Sequence, residues 1–268
     1  MGLDIYFYRV SSKEKAEEFL AASKQYEIAY DAYTEKYKEP IEKAEKKWRD
    51  WYNAENLKYE EHAAKNEEYE IDHSNEPSYD MKDFMTPIDR TGWEFVENTY
   101  KDLKSEINFT YEGQYKDLYM RKQNWMLQYV YNRFPERLVK LPDYSNKILD
   151  DCKAILTLDD VNDLIDRMEK VLAAGEFKTY QEATGKPEAD EKGWYVKEAI
   201  DYHNEWTPTE AQNAAANEYL PTRSGFFFGN VTYDYFYFQH VRDYLESFKK
   251  WRDEVRMPGE VLLYEESW

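Results

Sequence analysis

Hydrophobic and polar positions alternate over the first ten residues of the chain. In the segment Gly2–Val10, Leu3, Ile5 and Phe7 are separated by single residues. This period of two predicts a β-strand with one buried face. Ser11 and Glu14 then have the spacing of a capping box, which predicts that a helix begins directly after the strand.

Aromatic residues recur at nearly heptad spacing in the region that follows. They step by three or four positions except around Pro40, which should kink the helix. We call these residues the aromatic seam: Tyr26, Tyr30, Tyr33, Tyr37, Trp48 and Trp51. Such a seam is buried only against a second helix, and Thr91–Tyr111 is the predicted returning helix. Residues 12–111 are therefore predicted to form a helical-hairpin insertion, and residues 1–11 and 112–268 a core domain.

The rest of the chain is dominated by helical periodicity. The predicted helices are Gln114–Phe134, Lys147–Ala154, a helix capped by Thr157 that ends at Ala174, Trp194–Tyr202, Thr207–Tyr219 and Tyr233–Val255. Phe226–Phe228 is predicted to be a second strand, paired with Gly2–Val10, and Gly259–Tyr264 is the candidate for a third. The fold class expected is α+β, predominantly helical, with a small sheet of two to three strands.

Charge excludes several classes of function. The chain carries 55 acidic and 36 basic residues in 268, a net charge of −19. Nucleic-acid phosphates would be repelled, so no direct nucleic-acid binding is expected.

The sequence has no apolar run long enough to predict a membrane span, and no signal peptide is recognisable at the start. A single cysteine excludes an internal disulfide. We therefore expect a cytoplasmic protein.

Motifs for common chemistries are missing from the sequence. The four histidines lack zinc-site spacing, and no phosphate-binding glycine loop, dinucleotide fingerprint or nucleophile elbow is present. No metal and no cofactor are expected, and the balance favours a protein that is not an enzyme.

Two segments carry a family resemblance. The start, MGLDIYFY, and the late run LPTRSGFFFGNVTYDYFYFQHV resemble a family of uncharacterised phage, prophage and bacterial proteins, whose members begin MGLDMYL and contain LPTxxGFFFGxxxYD. A third block, Arg121–Asn124, resembles the family's W-R-K-x-N motif, although Leu127 stands where a histidine usually follows. The resemblance implies a mobile-element origin and supplies no mechanism.

The three blocks together contain a set of polar residues that could converge in space. If they do, they form either a polar pocket for an anion or nucleotide-like ligand, or a buried salt-bridge network. Both interpretations stay open for the set Asp4, Arg121, Lys122, Asn124, Arg223, Tyr233 and Asp234. For Gly225–Gly229 we favour a buried strand over a binding site.

The aromatic seam also has two interpretations. It is either the interior of the hairpin or a surface that binds a partner, because aromatic residues carry much interface energy. Carboxylates along the same region are either simply solvated or imitate nucleic-acid phosphates.

Two functions follow from these alternatives. The first is an acidic binding protein whose partner is a protein with a basic surface, in its specific version an inhibitor of a host defence or nucleic-acid enzyme. The second is a small-molecule or nucleotide-binding protein or enzyme that uses the polar set.

Overall fold

The computed structural model of the chain describes residues 4–65, 68–71, 73–107, 118–135, 139–140, 152–224, 231–254 and 258–267. The chain divides into two compact units. The core unit comprises Met1–Leu20 and Lys104–Trp268, and the inserted unit comprises Ala21–Leu103.

The described residues form a predominantly helical α+β fold. The strands are β1 (Asp4–Val10), β2 (Tyr119–Arg121), β3 (Val139–Lys140), β4 (Cys152–Leu156) and β5 (Val261–Ser267). The α-helices are α1 (Lys13–Lys36), α2 (Lys38–Ala64), α3 (Pro87–Glu106), α4 (Asn124–Arg133), α5 (Leu158–Ala173), α6 (Tyr180–Thr184), α7 (Lys197–Glu205), α8 (Glu210–Tyr219) and α9 (Tyr235–Glu254).

One antiparallel sheet organises the core unit. Its strand order is β2-β1-β5-β4-β3. The longest ladder joins β1 to β5, from Asp4 opposite Ser267 to Val10 opposite Val261. The predicted strands at the start and near the end of the chain are thus confirmed, and they pair with each other. The sheet has more strands than the two or three expected.

The predicted pairing of the first strand with Phe226–Phe228 differs from the pairing observed. Residues 226–228 lie outside the described part of the chain, and β1 is flanked by β2 on one side and β5 on the other. The physical reason is the β5 sequence, in which Val261–Tyr264 is buried throughout and so suits a central strand.

Two predicted helices are partly wrong. The described part of Gln114–Phe134 contains strand β2 before α4 begins at Asn124, and the end of Lys147–Ala154 belongs to β4. Around β2, Leu118 and Met120 are buried while Tyr119 and Arg121 are exposed. That alternation has the period of a strand, and pairing with β1 stabilises it.

Helices α4, α5, α8 and α9 form the main hydrophobic core with one face of the sheet. Ile5 and Phe7 of β1 pack in this core with Trp125 of α4 and Phe248 of α9, and the rings of Phe7 and Phe248 meet edge to face at 5.3 Å. The helix predicted to be capped by Thr157 is confirmed as α5, and its Leu172 is partly buried against this core.

The inserted unit contains the aromatic seam. Helices α1 and α2 are separated only at Tyr37, which still donates its backbone N–H to Tyr33 and accepts from Ile41. The break falls three residues before Pro40, because a proline cannot donate to the carbonyl four positions earlier. Helix α3 is the predicted returning helix and runs antiparallel to α1, with Tyr26 stacked on Tyr100 at 4.7 Å.

Four of the six seam residues pack against the returning helix. Tyr26, Tyr30, Tyr33 and Tyr37 pack around Trp93 of α3. Trp48 and Trp51 of α2 instead contact an irregular segment: Trp48 donates to Glu76 at 2.7 Å, and Trp51 lies 5.9 Å from the ring of His73. In the described residues, the seam residues of α1 thus face the returning helix, and those of α2 face this irregular segment.

The capping box that begins α5 provides a test of the fold. The Thr157 hydroxyl accepts from the backbone N–H of Asp160, and the Asp160 carboxylate accepts from the backbone N–H of Thr157 at 2.8 Å. Thr157→Ala should lower the free energy of unfolding by about 1 kcal/mol, measured by urea denaturation. Thr157→Ser keeps the hydroxyl and should stay close to the wild type. Equal stability of the alanine variant would contradict this role for the box.

Candidate functional site

Asp4 and Arg121 from the predicted polar set are neighbours at one edge of the sheet. They face each other across β1 and β2, and the Nε atom of Arg121 lies 3.9 Å from Oδ1 of Asp4. The Tyr119 hydroxyl donates to the same oxygen at 2.5 Å. The Arg121 side chain is 65% exposed, so this ion pair is open to water and contributes little stability.

Lys122 lies in the turn between β2 and α4. Its backbone is left-handed, with φ 56°, and its carbonyl accepts from the N–H of Asn124 at 3.2 Å. Lys122 is exposed, whereas Asn124 is buried. The turn therefore directs these two predicted site residues into different environments.

Gln123 connects this turn to helix α9. Its amide nitrogen donates to the Arg121 carbonyl and to Nδ1 of His240, both at 3.0 Å, and its oxygen accepts from the indole of Trp125 at 2.8 Å. Burial lowers the pKa of His240, and the nearby charge of Asp234 opposes that shift. The charge of Asp234 thus acts on a histidine that is hydrogen-bonded to the turn.

The other members of the set have local partners. Asp234 accepts from the backbone N–H of Tyr237 at 3.0 Å and so caps α9. Arg223 lies 4.7 Å from the ring centroid of Tyr131, and Tyr233 is 3.4 Å from Asn217. Glycines 225 and 229 and the phenylalanines between them lie outside the described residues. These contacts give several members of the set structural partners, but the ion pair of Asp4 and Arg121 is exposed, so the described contacts do not form the buried salt-bridge network that was the alternative to a pocket.

Sequence reasoning missed Gln123 and His240, although both lie in blocks that carried the resemblance. Gln123 occupies the variable position of the third block, so no motif marked it. Only the folded chain shows that His240, more than a hundred residues later, is its partner.

A second missed cluster surrounds His203 of α7. This side chain is 2% exposed and stacks on Tyr235 with ring centroids 4.1 Å apart. The Nε2 atom of His203 lies 4.0 Å from the Glu188 carboxylate, and this Nε2 atom has no hydrogen bond among the described residues. The same carboxylate accepts from the Tyr235 hydroxyl at 3.1 Å. Burial lowers the pKa of His203, and Glu188 partly counteracts this. The carboxylate of Glu188 and the imidazole of His203 are fifteen positions apart in the sequence, and no local motif marks them.

The predicted partner-binding aromatic residues are mostly interior. Tyr37 is buried, and the other five are partly buried within the contacts described above. This agrees with the hairpin-core interpretation. Different residues of the inserted unit are exposed: Ile28, Tyr52, Leu57, Tyr59, Tyr79, Ile88 and Phe95.

The comparisons with known proteins add no family. No family model, curated protein or solved structure matches the chain. The class is therefore defined by the fold alone: a predominantly helical α+β protein with an inserted helical unit. The phage-family resemblance stays a prediction. None of the helices in the described residues is long and apolar enough to span a membrane.

The strained turn gives a testable consequence. A non-glycine residue in the left-handed region costs about 1 kcal/mol, which glycine avoids. Lys122→Gly should therefore raise the free energy of unfolding by up to about 0.5 kcal/mol, because the more flexible unfolded chain of the glycine variant offsets about 0.4–1 kcal/mol of the relief. Chemical denaturation measures the change. Lys122→Ala keeps the strain, so it should not stabilise; an equal gain in both variants would refute the strain.

Buried histidines give a pH dependence of known sign. The folded state resists protonation of His203 and His240, so below their ordinary pKa of 6.5 the unfolded chain binds more protons. Stability should therefore be fully present above pH 6.5 and decrease as the pH falls below it. In His203→Phe, where the ring is kept without the titrating group, this decrease should be smaller. Urea denaturation at a series of pH values tests both, and increasing stability on acidification would contradict the assignment.

Proposed function

We propose that the protein acts by binding a macromolecular partner, a protein with a basic surface, through its inserted unit. The observation that carries this proposal is the exposure of large apolar side chains there. Seven of the fourteen exposed ones among the described residues lie in this unit, which holds about a third of those residues. Neighbouring exposed apolar side chains are typical of interaction surfaces, and Tyr52 and Tyr59, two helical turns apart, lie on one face of α2.

Charge indicates the kind of partner. The inserted unit has 21 acidic and 12 basic residues, and residues 60–83 alone have nine acidic and two basic ones. Exposed carboxylates of this density speed the approach of a cationic surface and repel an anionic one. Exposed tyrosines between them add apolar contact area and ring faces for cations.

The specific form of the proposal is an inhibitor of a host defence or nucleic-acid enzyme. Such enzymes hold phosphates in basic clefts, and a surface rich in carboxylates competes for the same cations. The family resemblance supports a mobile-element origin, and the single cysteine supports an intracellular setting.

Salt dependence of association tests this function. The purified protein captures partners from a bacterial lysate, and the association rate of each captured, purified partner is then measured by surface plasmon resonance. If electrostatic steering speeds association, that rate should fall about tenfold between low salt and salt well above 0.1 M. At 0.1 M the screening length is already only ~10 Å. A rate that does not change with salt would contradict the proposal.

Matched charge variants localise the effect. Three exposed acids of the inserted unit are changed to amides in one variant: Asp50→Asn, Glu60→Gln and Glu61→Gln. Three exposed acids of the core unit are changed in the other: Glu191→Gln, Glu198→Gln and Glu205→Gln. The first variant should slow association severalfold and the second much less. Equal effects would show attraction by net charge alone.

A further inference from the structure

A cavity of about 610 Å³ opens near the C-terminal end of α2. It is lined by Tyr59, Ala63, Glu68, Tyr69 and Glu70. Its size lies within the ~300–1,000 Å³ of ligand-binding cavities. Tyr59 and Ala63 are four residues apart and therefore lie on the same face of the helix.

The two tyrosine rings of this cavity differ: Tyr69 is held in place by other side chains, and Tyr59 is exposed. The Tyr69 ring stacks on His62 with centroids 4.9 Å apart, and its hydroxyl donates to Glu55 at 2.5 Å. Glu55 is buried and also accepts from Lys58 at 2.6 Å. Tyr59 is 52% exposed and makes no hydrogen bond or ring contact among the described residues. Tyr69 is thus positioned in advance, while the face of Tyr59 can receive a ligand.

The carboxylates of the cavity are not neutralised within the described part of the protein. Glu68 and Glu70 are exposed there and have no ion pair. Lys58 of α2 already pairs with Glu55, and Lys65, which follows the helix, makes no ion pair with either carboxylate among the described residues. Two free carboxylates beside two tyrosine rings provide both ion pairing and ring faces, the combination that holds an organic cation.

We propose that this cavity binds an arginine or lysine side chain presented by a basic segment of the partner protein. The proposal rests on the function proposed above and identifies its contact point. The ring of Tyr59 covers the apolar stem and the cation, and Glu68 and Glu70 pair with its charge. Charge complementarity selects this occupant, because an anionic segment would meet two unpaired carboxylates.

A peptide probe tests the cavity directly. The full-length protein is titrated with a fluorescently labelled short oligoarginine peptide at low salt, and binding is followed by fluorescence anisotropy. Tyr59→Ala should weaken binding about threefold to fivefold, and the pair Glu68→Gln with Glu70→Gln by a similar factor. Tyr59→Phe keeps the ring and should bind like the wild type.

Control variants with the same chemistry lie on the core unit. Trp194→Ala removes a 73% exposed ring, and Glu191→Gln removes an exposed carboxylate. Each should change the dissociation constant by less than about twofold. If both weaken binding as much as the cavity variants do, this inference is wrong and the proposed function stands. If the wild type does not bind the peptide, the proposed function fails as well. Thermal unfolding confirms that each variant is folded.

Discussion

Each tyrosine that is buried for its ring also buries a hydroxyl, and that hydroxyl needs a hydrogen-bond partner. This constraint shapes the core unit. Tyr129 of α4 donates to the Asp160 carbonyl of α5 at 3.1 Å, and Tyr237 of α9 donates to the Leu220 carbonyl at 2.8 Å, directly after α8. Such a bond adds only about 1 kcal/mol net, but an unsatisfied buried hydroxyl costs about 1–3 kcal/mol. The hydroxyls therefore favour one arrangement of the helices over others with equal apolar burial. The pKa of Tyr129 is raised by burial and by Asp163 beside it, so the hydroxyl keeps its proton as a donor.

The same constraint acts inside the inserted unit. At the break between α1 and α2, the Tyr37 hydroxyl donates to Asp89 at 2.5 Å and accepts from the backbone N–H of Thr86 at 3.0 Å. Lys36 also donates to Asp89, and hydrogen bonds from Lys36, Tyr37 and Thr86 lower the pKa of Asp89 to about 2. One tyrosine thus fixes the beginning of α3 against the place where the long helix breaks. Tyrosines used in this way are structural, which is why the seam residues expected at an interface are largely interior.

Local patterns predicted the elements whose cause is local. The first strand follows from alternation within Asp4–Val10, and α5 follows from its apolar face and the Thr157–Asp160 box. Elements with a distant cause were missed. Strand β2 has three residues and exists because β1 pairs with it, while the apolar residues of α4 directly afterwards made the whole segment resemble a helix. The partner of β1 was misassigned because pairing over 250 residues leaves no trace in local periodicity. The contacts of His203 with Glu188 and of Gln123 with His240 were invisible for the same reason.

The predicted polar set and the cavity at the end of α2 differ in how many of their polar groups already have hydrogen-bond partners within the protein. In the set around Asp4 and Asp234, the described polar groups mostly have partners within the protein, as Gln123 does with three hydrogen bonds. A ligand there would have to replace bonds that already exist, so its net gain would be small. Glu68 and Glu70 are exposed to solvent instead, and a cation that reaches them exchanges hydration for an ion pair. That exchange also yields little affinity per pair in an exposed setting, because the water lost offsets the charge gained. Two carboxylates are therefore needed to match the affinity contributed by the single Tyr59 ring, because burial of that ring against the stem of an arginine or lysine has no comparable desolvation cost. The further effect of the carboxylates is on the speed and selectivity of the encounter.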